Sequence, residues 1–347
     1  MKKYRGWLIL LALVLVLTSF VGACTKEETP APAPAPAQPI VMRCASEFAP
    51  PELISVILQE LVTTIPQQTA GRVKFEYYPA AQLYTFPDAV AAMQAGDLEM
   101  GINGMPISFL VPEWDIICSL PFLVEDGAHL QRLSDTTAYK DLSARMEAMG
   151  IKPLTKVYPM DVQPLFNRKR PIATLEDLRG LKLSVGPGPT FLEAMTILSG
   201  SKPVNIPIPE VPASLETGMV DGSPFPWPVQ VYIEFPRLMP YVTLDPCGLS
   251  FPVGLVVSTK WWKTLPSDLQ QTLQGIFETA MDRYGKEIVA VGEEQKKVFT
   301  NTPGTTVTKL TAAERARWLG ALKPLYDKMR QNANLLAIMQ AADATRK

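Results

Sequence analysis

Five residues, Gly186-Pro187-Gly188-Pro189-Thr190, come nearest in this chain to a ligand cradle, because they join an apolar segment, Leu181 to Val185, to a helix-like one. A glycine turn that opens a helix binds phosphate through main-chain N–H groups. A phosphate loop requires G-x-x-x-x-G-K-[ST], and a dinucleotide fingerprint requires G-x-G-x-x-G. Here no lysine is present, Phe191 stands at the third glycine position, and Pro187 and Pro189 carry no N–H. The stretch is therefore no nucleotide site, although a helix start near Thr190 still offers weak stabilisation to an anion.

Other catalytic chemistry is equally short of residues. A Ser-His-Asp or Cys-His arrangement would rest on the one histidine, His129 in VEDGAHLQRL, and one histidine cannot build a multi-histidine zinc site. Its polar neighbours read as the start of a solvated surface helix. No local carboxylate pair sits in a catalytic frame. Cys44, Cys118 and Cys247 form no C-x-x-C pair and are odd in number, so buried free thiols are expected. A net charge of −1 gives no basic face for nucleic acid. The expectation is a protein that is not an enzyme, with no catalytic residue, no cofactor and no metal.

The elements that must position any site follow from periodicity. Ile40 to Ser46 reads as a strand, Glu52 to Thr69 as a helix with a wide apolar stripe, and Arg72 to Pro79 as an alternating strand. A helix over Asp88 to Ala95 and a strand over Leu98 to Ile102 follow. This alternation predicts an α/β layer with a largely parallel sheet. A second set runs from Lys152 to Tyr158 and Pro164 to Asn167 through a capped helix at Thr174 to Gly180, a strand at Leu181 to Val185 and a helix at Thr190 to Leu198. Strand Pro203 to Ile208 and helix Val211 to Thr217 complete it. Phe251 to Ser258 returns to strand, Pro266 opens a long helix to about Phe299, and Thr311 with Glu314 starts another.

The ends describe delivery rather than chemistry. Residues 1–24 have a basic start at Lys2, Lys3 and Arg5, an apolar core from Leu8 to Phe20, and small residues before Cys24. Val21-Gly22-Ala23-Cys24 resembles the lipobox of bacterial lipoproteins, which implies lipid attachment at Cys24. Residues 25–39 are a Pro-Ala tract, a semi-stiff spacer of about 45 Å when extended. The expected location is outside the cytoplasmic membrane, lipid-anchored, in a periplasm or on a cell surface.

From Arg170 to Gly222 the chain reads RPIATLEDLRGLKLSV and then SKPVNIPIPEVPASLETGMVDG. This run closely resembles the dicarboxylate-type solute-binding proteins of TRAP transporters, the tripartite ATP-independent periplasmic systems. TAGRVKFEYYPAAQL, AAMQAGDLEMG, SLPFL and WWKTLPSDLQQTL extend the resemblance over nearly the whole chain beyond the spacer. The resemblance implies an α/β, two-domain, periplasmic-binding-protein-like fold with hinge strands and a central ligand cleft. Domain 1 would be residues 40–160 and 251–283, domain 2 residues 161–250, and residues 284–347 C-terminal helices bracing both. It further implies an extracytoplasmic receptor that captures a small organic solute and delivers it to TRAP permease membrane subunits. A ligand-sensing receptor docked on a signalling partner is the alternative.

The chain departs from its relatives where they hold the solute. The arginine that follows Gly-Leu-Lys in most relatives and pairs with a ligand carboxylate is Ser184 here, and an asparagine shortly after Asp-Gly is Phe225. A serine offers one neutral hydrogen bond in place of a bidentate ionic pair. Arg168 and Arg170, beside Pro171, are expected to face solvent. Phe225 and Trp227 would share one side of an extended segment, and Phe48 and Trp114 lie in stretches that line the cleft in relatives. Gln163 and Asn103 would orient polar atoms, with Gly186 at the turn. These residues together imply an aromatic or apolar pocket; an organic or aromatic acid is the leading solute, and a neutral one, or a cationic one near Glu47 or Asp161, remains open. On that reading Trp227→Ala would weaken binding and spare the fold. Asp221-Gly222 reads as a structural turn.

Overall fold

Apolar residues at helical and alternating spacing build two separate sheets in the computed structural model. It describes residues 38–346 apart from 105, 106, 109, 187, 207–209, 232, 246 and 247. The signal segment 1–24 with Cys24, the spacer up to residue 37 and Cys247 lie outside the described residues.

The first half runs β1 (Ile40–Ala45), α1 (Leu53–Gln68), β2 (Val73–Tyr78), α2 (Phe86–Ala95) and β3 (Met100–Asn103). Next come α3 (Pro112–Ser119), α4 (Gly127–Ser134), α5 (Thr137–Ala148), β4 (Ile151–Pro153) and β5 (Tyr158–Val162). The chain then forms β6 (Leu165–Asn167), α6 (Leu175–Leu178), α7 (Pro189–Ser199), α8 (Val211–Glu216) and β7 (Gly222–Pro224). A 3-10 turn (Trp227–Val231), α9 (Phe235–Leu238), β8 (Tyr241–Thr243), β9 (Leu249–Ser258) and α10 (Thr259–Trp262) follow. The chain closes with α11 (Ser267–Asn301), β10 (Thr306–Thr308), α12 (Ala312–Met329) and α13 (Ala333–Thr345).

The first sheet has the order β2-β1-β3-β9-β4, with β5 also paired to β9. Its parallel part is confined to β1 with β2 and β3. β9 returns from the far half of the chain and runs antiparallel to β3, β4 and β5. The second sheet, β10-β8-β6-β7, is parallel only between β8 and β10. The expectation of largely parallel sheets is thus corrected, because direct returns replace helical crossovers. Leu181 to Val185 and Pro203 to Ile208 shrink to single bridges, Leu183 to Gly222 and Ser184 to Val204. Pro203 has no N–H to give to a ladder, and residues 207 and 208 of that second segment lie outside the described residues.

β5 and β9 connect the two sheets. Ten-residue β9 pairs with β5 through its first half and with β3 and β4 through its second, while β5 leads within three residues into β6. The 35-residue α11 lies along β5, and glycines make the contact possible. A Cβ at Gly285 would overlap the Tyr158 ring, and one at Gly292 would stand 3.3 Å from Asp161 Oδ2. α12 packs on α6 and α7, and α13 on α3, α4 and α5.

Local signals read from sequence are present at their sites. Thr174 and Asp177 form a reciprocal capping box on α6. Thr311 accepts the Glu314 N–H at the start of α12, and Gly96 ends α2 in the left-handed region. Cys44 and Cys118 are free and buried. His129 is a correction: it is fully buried, not solvated. Its Nδ1 accepts the Glu125 N–H at 3.1 Å, and its Nε2 lies 2.8 Å from Ala342 O, to which it donates. The ring ties α4 to α13, a partner 213 residues away that periodicity cannot reveal.

Candidate functional site

The turn that opened the sequence question has a ligand of its own. α7 starts with Gly188 as N-cap and Pro189 at the first helical position, so no side chain caps it from within. The Thr190 N–H and hydroxyl both donate to Asp115 Oδ2, at 3.1 and 2.5 Å. A carboxylate from α3 therefore occupies the positive end of α7. Asp115 is 4% exposed, and every residue of α3 from Glu113 to Ser119 is buried. Burial pushes its carboxyl above the usual carboxylate range, opposed by the hydrogen bonds from Thr190 and from the Ser119 hydroxyl.

Asp115 and Ser119, one helical turn apart on α3, both face Gly188. A Cβ at Gly188 would lie 2.5 Å from Ser119 Oγ and 2.7 Å from Asp115 Oδ1, so only glycine permits this approach. On the other side of α3, a Cβ at Gly248 would lie 3.1 Å from Cys118 O. Gly248 O in turn accepts the Gln163 N–H at 3.1 Å. α3, the turn before α7 and the junction of β5 with β9 are thus packed against one another. Four buried oxygens in these segments, Asp115 Oδ1, Ser119 Oγ, Ser108 Oγ and Gln163 Oε1, make no well-formed hydrogen bond, although the Ser119 hydroxyl lies close enough to lower the Asp115 carboxyl and the Ser108 hydroxyl to lower the Cys118 thiol. Buried polar atoms are normally satisfied, so four in neighbouring segments mark a place that receives a polar partner.

Of the residues expected from sequence, Gln163, Ser184 and Gly186 belong to this region. Ser184 is 2% exposed, donates its N–H to Gly222 O at 2.9 Å, and leads through Gly186 into the turn. Asn103 ends β3 opposite Gly254 of β9. The four rings belong to three apolar cores. Phe225 stacks on Phe235 at 5.6 Å, while Trp227 sets its edge to Phe166 at 5.0 Å and to Phe299 at 5.5 Å. Both belong to the apolar core beside the second sheet. Phe48 meets Phe86 at 5.5 Å in the core of the first sheet. Trp114, wholly buried in a third core, donates its indole N–H to Gly104 O at 3.0 Å and packs on Tyr139.

Charged candidates also have partners within the chain. Glu47 accepts the Phe86 N–H. Arg168 and Arg170 are exposed and give their guanidinium groups to main-chain carbonyls of Leu215, Asp177 and Arg179. Neither Arg168 nor Arg170 stands in for the arginine absent at Ser184. Two surface hollows lie elsewhere: one of about 520 Å³ between α1 and α11, and one of about 190 Å³ bounded by Leu53, Met160, Pro228 and Tyr284. Among the described residues no cluster of three His, Cys, Asp or Glu could hold a metal ion. Sequence reading missed Asp115, Ser108 and Ser119. The available signal was a carboxylate inside the apolar run Trp114 to Cys118, which is costly unless it has a purpose.

Comparison with known proteins agrees with this architecture. The family model described as bacterial extracellular solute-binding protein, family 7, matches residues 49–332. The C4-dicarboxylate-binding periplasmic protein DctP of Rhodobacter capsulatus is 28% identical over 336 residues, which cover 95% of this chain and 98% of the relative. The sugar acid binding protein DctPAm of Advenella mimigardefordensis, solved with galactonate, matches with a TM-score of 0.79 at 19% identity, covering 89% of this chain and 99% of that one. A TRAP periplasmic solute-binding protein of Shewanella oneidensis, solved with succinate, matches with a TM-score of 0.79 at 20% identity, covering 89% of this chain and all of that one (100%). These likenesses establish a mixed α/β, two-domain binding-protein fold.

Proposed function

The chain belongs to the bacterial extracellular solute-binding proteins of family 7, and on that premise we propose that its solute is a hydroxylated organic acid, held by hydrogen bonds where α3, the turn before α7 and Gln163 meet. At the coarser level it is a TRAP periplasmic solute-binding receptor, and its family and neighbours are receptors, not enzymes.

The observation that carries the solute proposal is the set of oxygens without donors. Gln163 Oε1 and an ionised Asp115 Oδ1 can only accept, whereas the Ser108 and Ser119 hydroxyls can do either. A buried polar atom left unpaired costs about 1–3 kcal/mol, so a solute that brings hydroxyl groups recovers free energy that a bare hydrocarbon or ring cannot. Galactonate, D-glucuronate and L-gulonate, bound by solved proteins of this fold, combine hydroxyls with a carboxylate. An aromatic or apolar solute has less support, since Phe225, Trp227, Phe48 and Trp114 spend their faces on other protein side chains. With Ser184 in place of an arginine fork, simple dicarboxylates lack a strong anchor.

A thermal-shift screen of sugar acids, succinate, benzoate and uncharged sugars tests this. Sugar acids are expected to raise the melting temperature by several degrees, since a ligand at a hundredfold excess over its Kd adds about 2.7 kcal/mol. A response to benzoate alone would discard the hydroxyl reading in favour of a ring-lined site.

Delivery to membrane permease subunits follows as part of the same proposal. So does the anchor: Cys24 bears lipid, and residues 25–39 hold the binding domain off the membrane. No helix among the described residues is long and apolar enough to cross a membrane. Cys24→Ala is expected to move the processed protein from the membrane pellet to the soluble extracytoplasmic fraction. An unchanged distribution on fractionation would remove Cys24 as the attachment point.

A further inference from the structure

Exposed cations gather at one end of the second sheet, although the chain as a whole is close to neutral. β6 runs straight into Arg168-Lys169-Arg170, and the Arg168 N–H donates to Asp221 O at 2.8 Å, just before β7. The Asp221 N–H donates to Lys182 O at 2.6 Å, which sets Lys182 beside that junction. Leu183 bridges Gly222 and Ser184 bridges Val204, both in parallel, so Lys202 enters its bridge from the same end as Lys182. Arg179 is joined to the group by Arg170, whose Nη2 donates to its carbonyl at 2.8 Å. Gln163 precedes β6 and the cations follow it, so they stand at the far end of that strand from the proposed solute contacts.

These charges are not neutralised within the chain. Among the described residues Arg168, Arg170, Arg179, Lys182 and Lys202 make no ion pair, and only Lys169 meets a carboxylate, Asp221 Oδ1 at 3.5 Å. The exposed acids nearby are engaged elsewhere, Glu176 with Arg317 and Glu216 with Arg237. Met219, in the loop between Gly218 and Asp221, is 62% exposed, and Val204 on the outer bridge is 44% exposed. Lys182 reaches over that loop to Gly218 O, and Arg168 to Leu215 O. An exposed apolar side chain among unpaired cations matches a lipid interface, where headgroup anions border hydrocarbon.

We propose that this end of the second sheet rests on an anionic phospholipid surface, with the cations over the headgroups and Met219 dipping between them. Charge complementarity selects the occupant, and the sequence keeps it within reach: Cys24 and a spacer of about 45 Å tether the domain to a membrane. Each Lys or Arg near such a surface is worth about fivefold in affinity. The contact alone is weak and reversible, and the tether makes it count by raising the local concentration of lipid. Seated in this way, the Gln163 end of β6 points away from the bilayer, so the receptor captures solute from solution and lifts off to deliver it. That orientation rests on the solute contacts proposed near Gln163; the lipid contact itself does not.

The test uses the processed Cys24→Ala protein, so that attached lipid does not report in place of the face, and co-sedimentation with vesicles. Vesicles of phosphatidylcholine alone are compared with vesicles of equal parts phosphatidylcholine and phosphatidylglycerol. Binding is expected to the anionic vesicles only, and to fade as salt rises past about 0.1 M, where screening acts within about 10 Å. Adding Lys182→Gln and Lys202→Gln is expected to weaken it about tenfold or more at an unchanged melting temperature. Lys140→Gln with Lys286→Gln removes the same charge from exposed positions on α5 and α11 and is expected to change nothing. Equal losses in the two double variants, or equal binding to both kinds of vesicle, overturn the proposal. So does absence of binding to anionic vesicles at low salt; capture by polyglutamate in their place would assign the face to an acidic protein. A failed anchor shows in fractionation and a failed solute class in the thermal-shift screen, so neither is confused with a failure here.

Discussion

Gly222→Ala is expected to be among the most damaging single substitutions available in this chain. A methyl group there would run into Phe166 O and come within 2.8 and 2.9 Å of the Cβ and Cα of Asn167. Those atoms belong to strand β6, so the obstruction is main chain and cannot rotate away. Gly222 pairs with Asn167 in the ladder, bridges to Leu183, and accepts the Ser184 N–H. One methyl therefore pushes apart three adjacent segments, including the one that leads to the turn before α7. Overpacking typically costs about 1–3 kcal/mol, and a rigid backbone obstacle places this case at or above the upper end. Chemical denaturation should show that loss together with weaker solute binding. A change of less than about 0.5 kcal/mol, the usual range for an exposed site, would contradict the geometry. The neighbouring Asp221 is a support of the same region: its Oδ2 accepts the Lys182 N–H at 3.1 Å.

Trp227→Ala is expected to lower stability by about 3–5 kcal/mol, the usual range for removing a large buried ring. The indole is 3% exposed and meets Phe166 and Phe299 edge-on, joining β6 to the end of α11. At roughly 2–4 °C per kcal/mol for a chain of this size class, the melting temperature should fall by about 10 °C. Affinity measured on the remaining folded protein should change far less. This replaces the expectation drawn from sequence, in which Trp227 supplied contact area to a solute and little to the core. A variant that melts like the parent but no longer binds would restore the ring-lined cleft.

The division between what was legible and what was not follows the range of each interaction. Thr174 with Asp177 and Thr311 with Glu314 are partners three residues apart, so their caps are written in the sequence and stand in the structure. The stripe of α1 and the alternation of β2 are likewise local, and ordered motifs such as GLKLSV and GMVDG carried the family. His129 and Asp115 are different. Each has its decisive partner far along the chain: Asp115 is 75 residues from Thr190, and His129 is 213 from Ala342. Three-residue strands such as β7, β8 and β10 are too short to show a period, and their pairing directions depend on how the chain returns. Ring residues are the sharpest case. Sequence alone establishes that Phe48, Trp114, Phe225 and Trp227 are large and apolar, which suits a ligand and a core equally well. Only the packing of three separate cores decides that their faces meet protein, because the hydrophobic effect has no direction until the fold supplies neighbours.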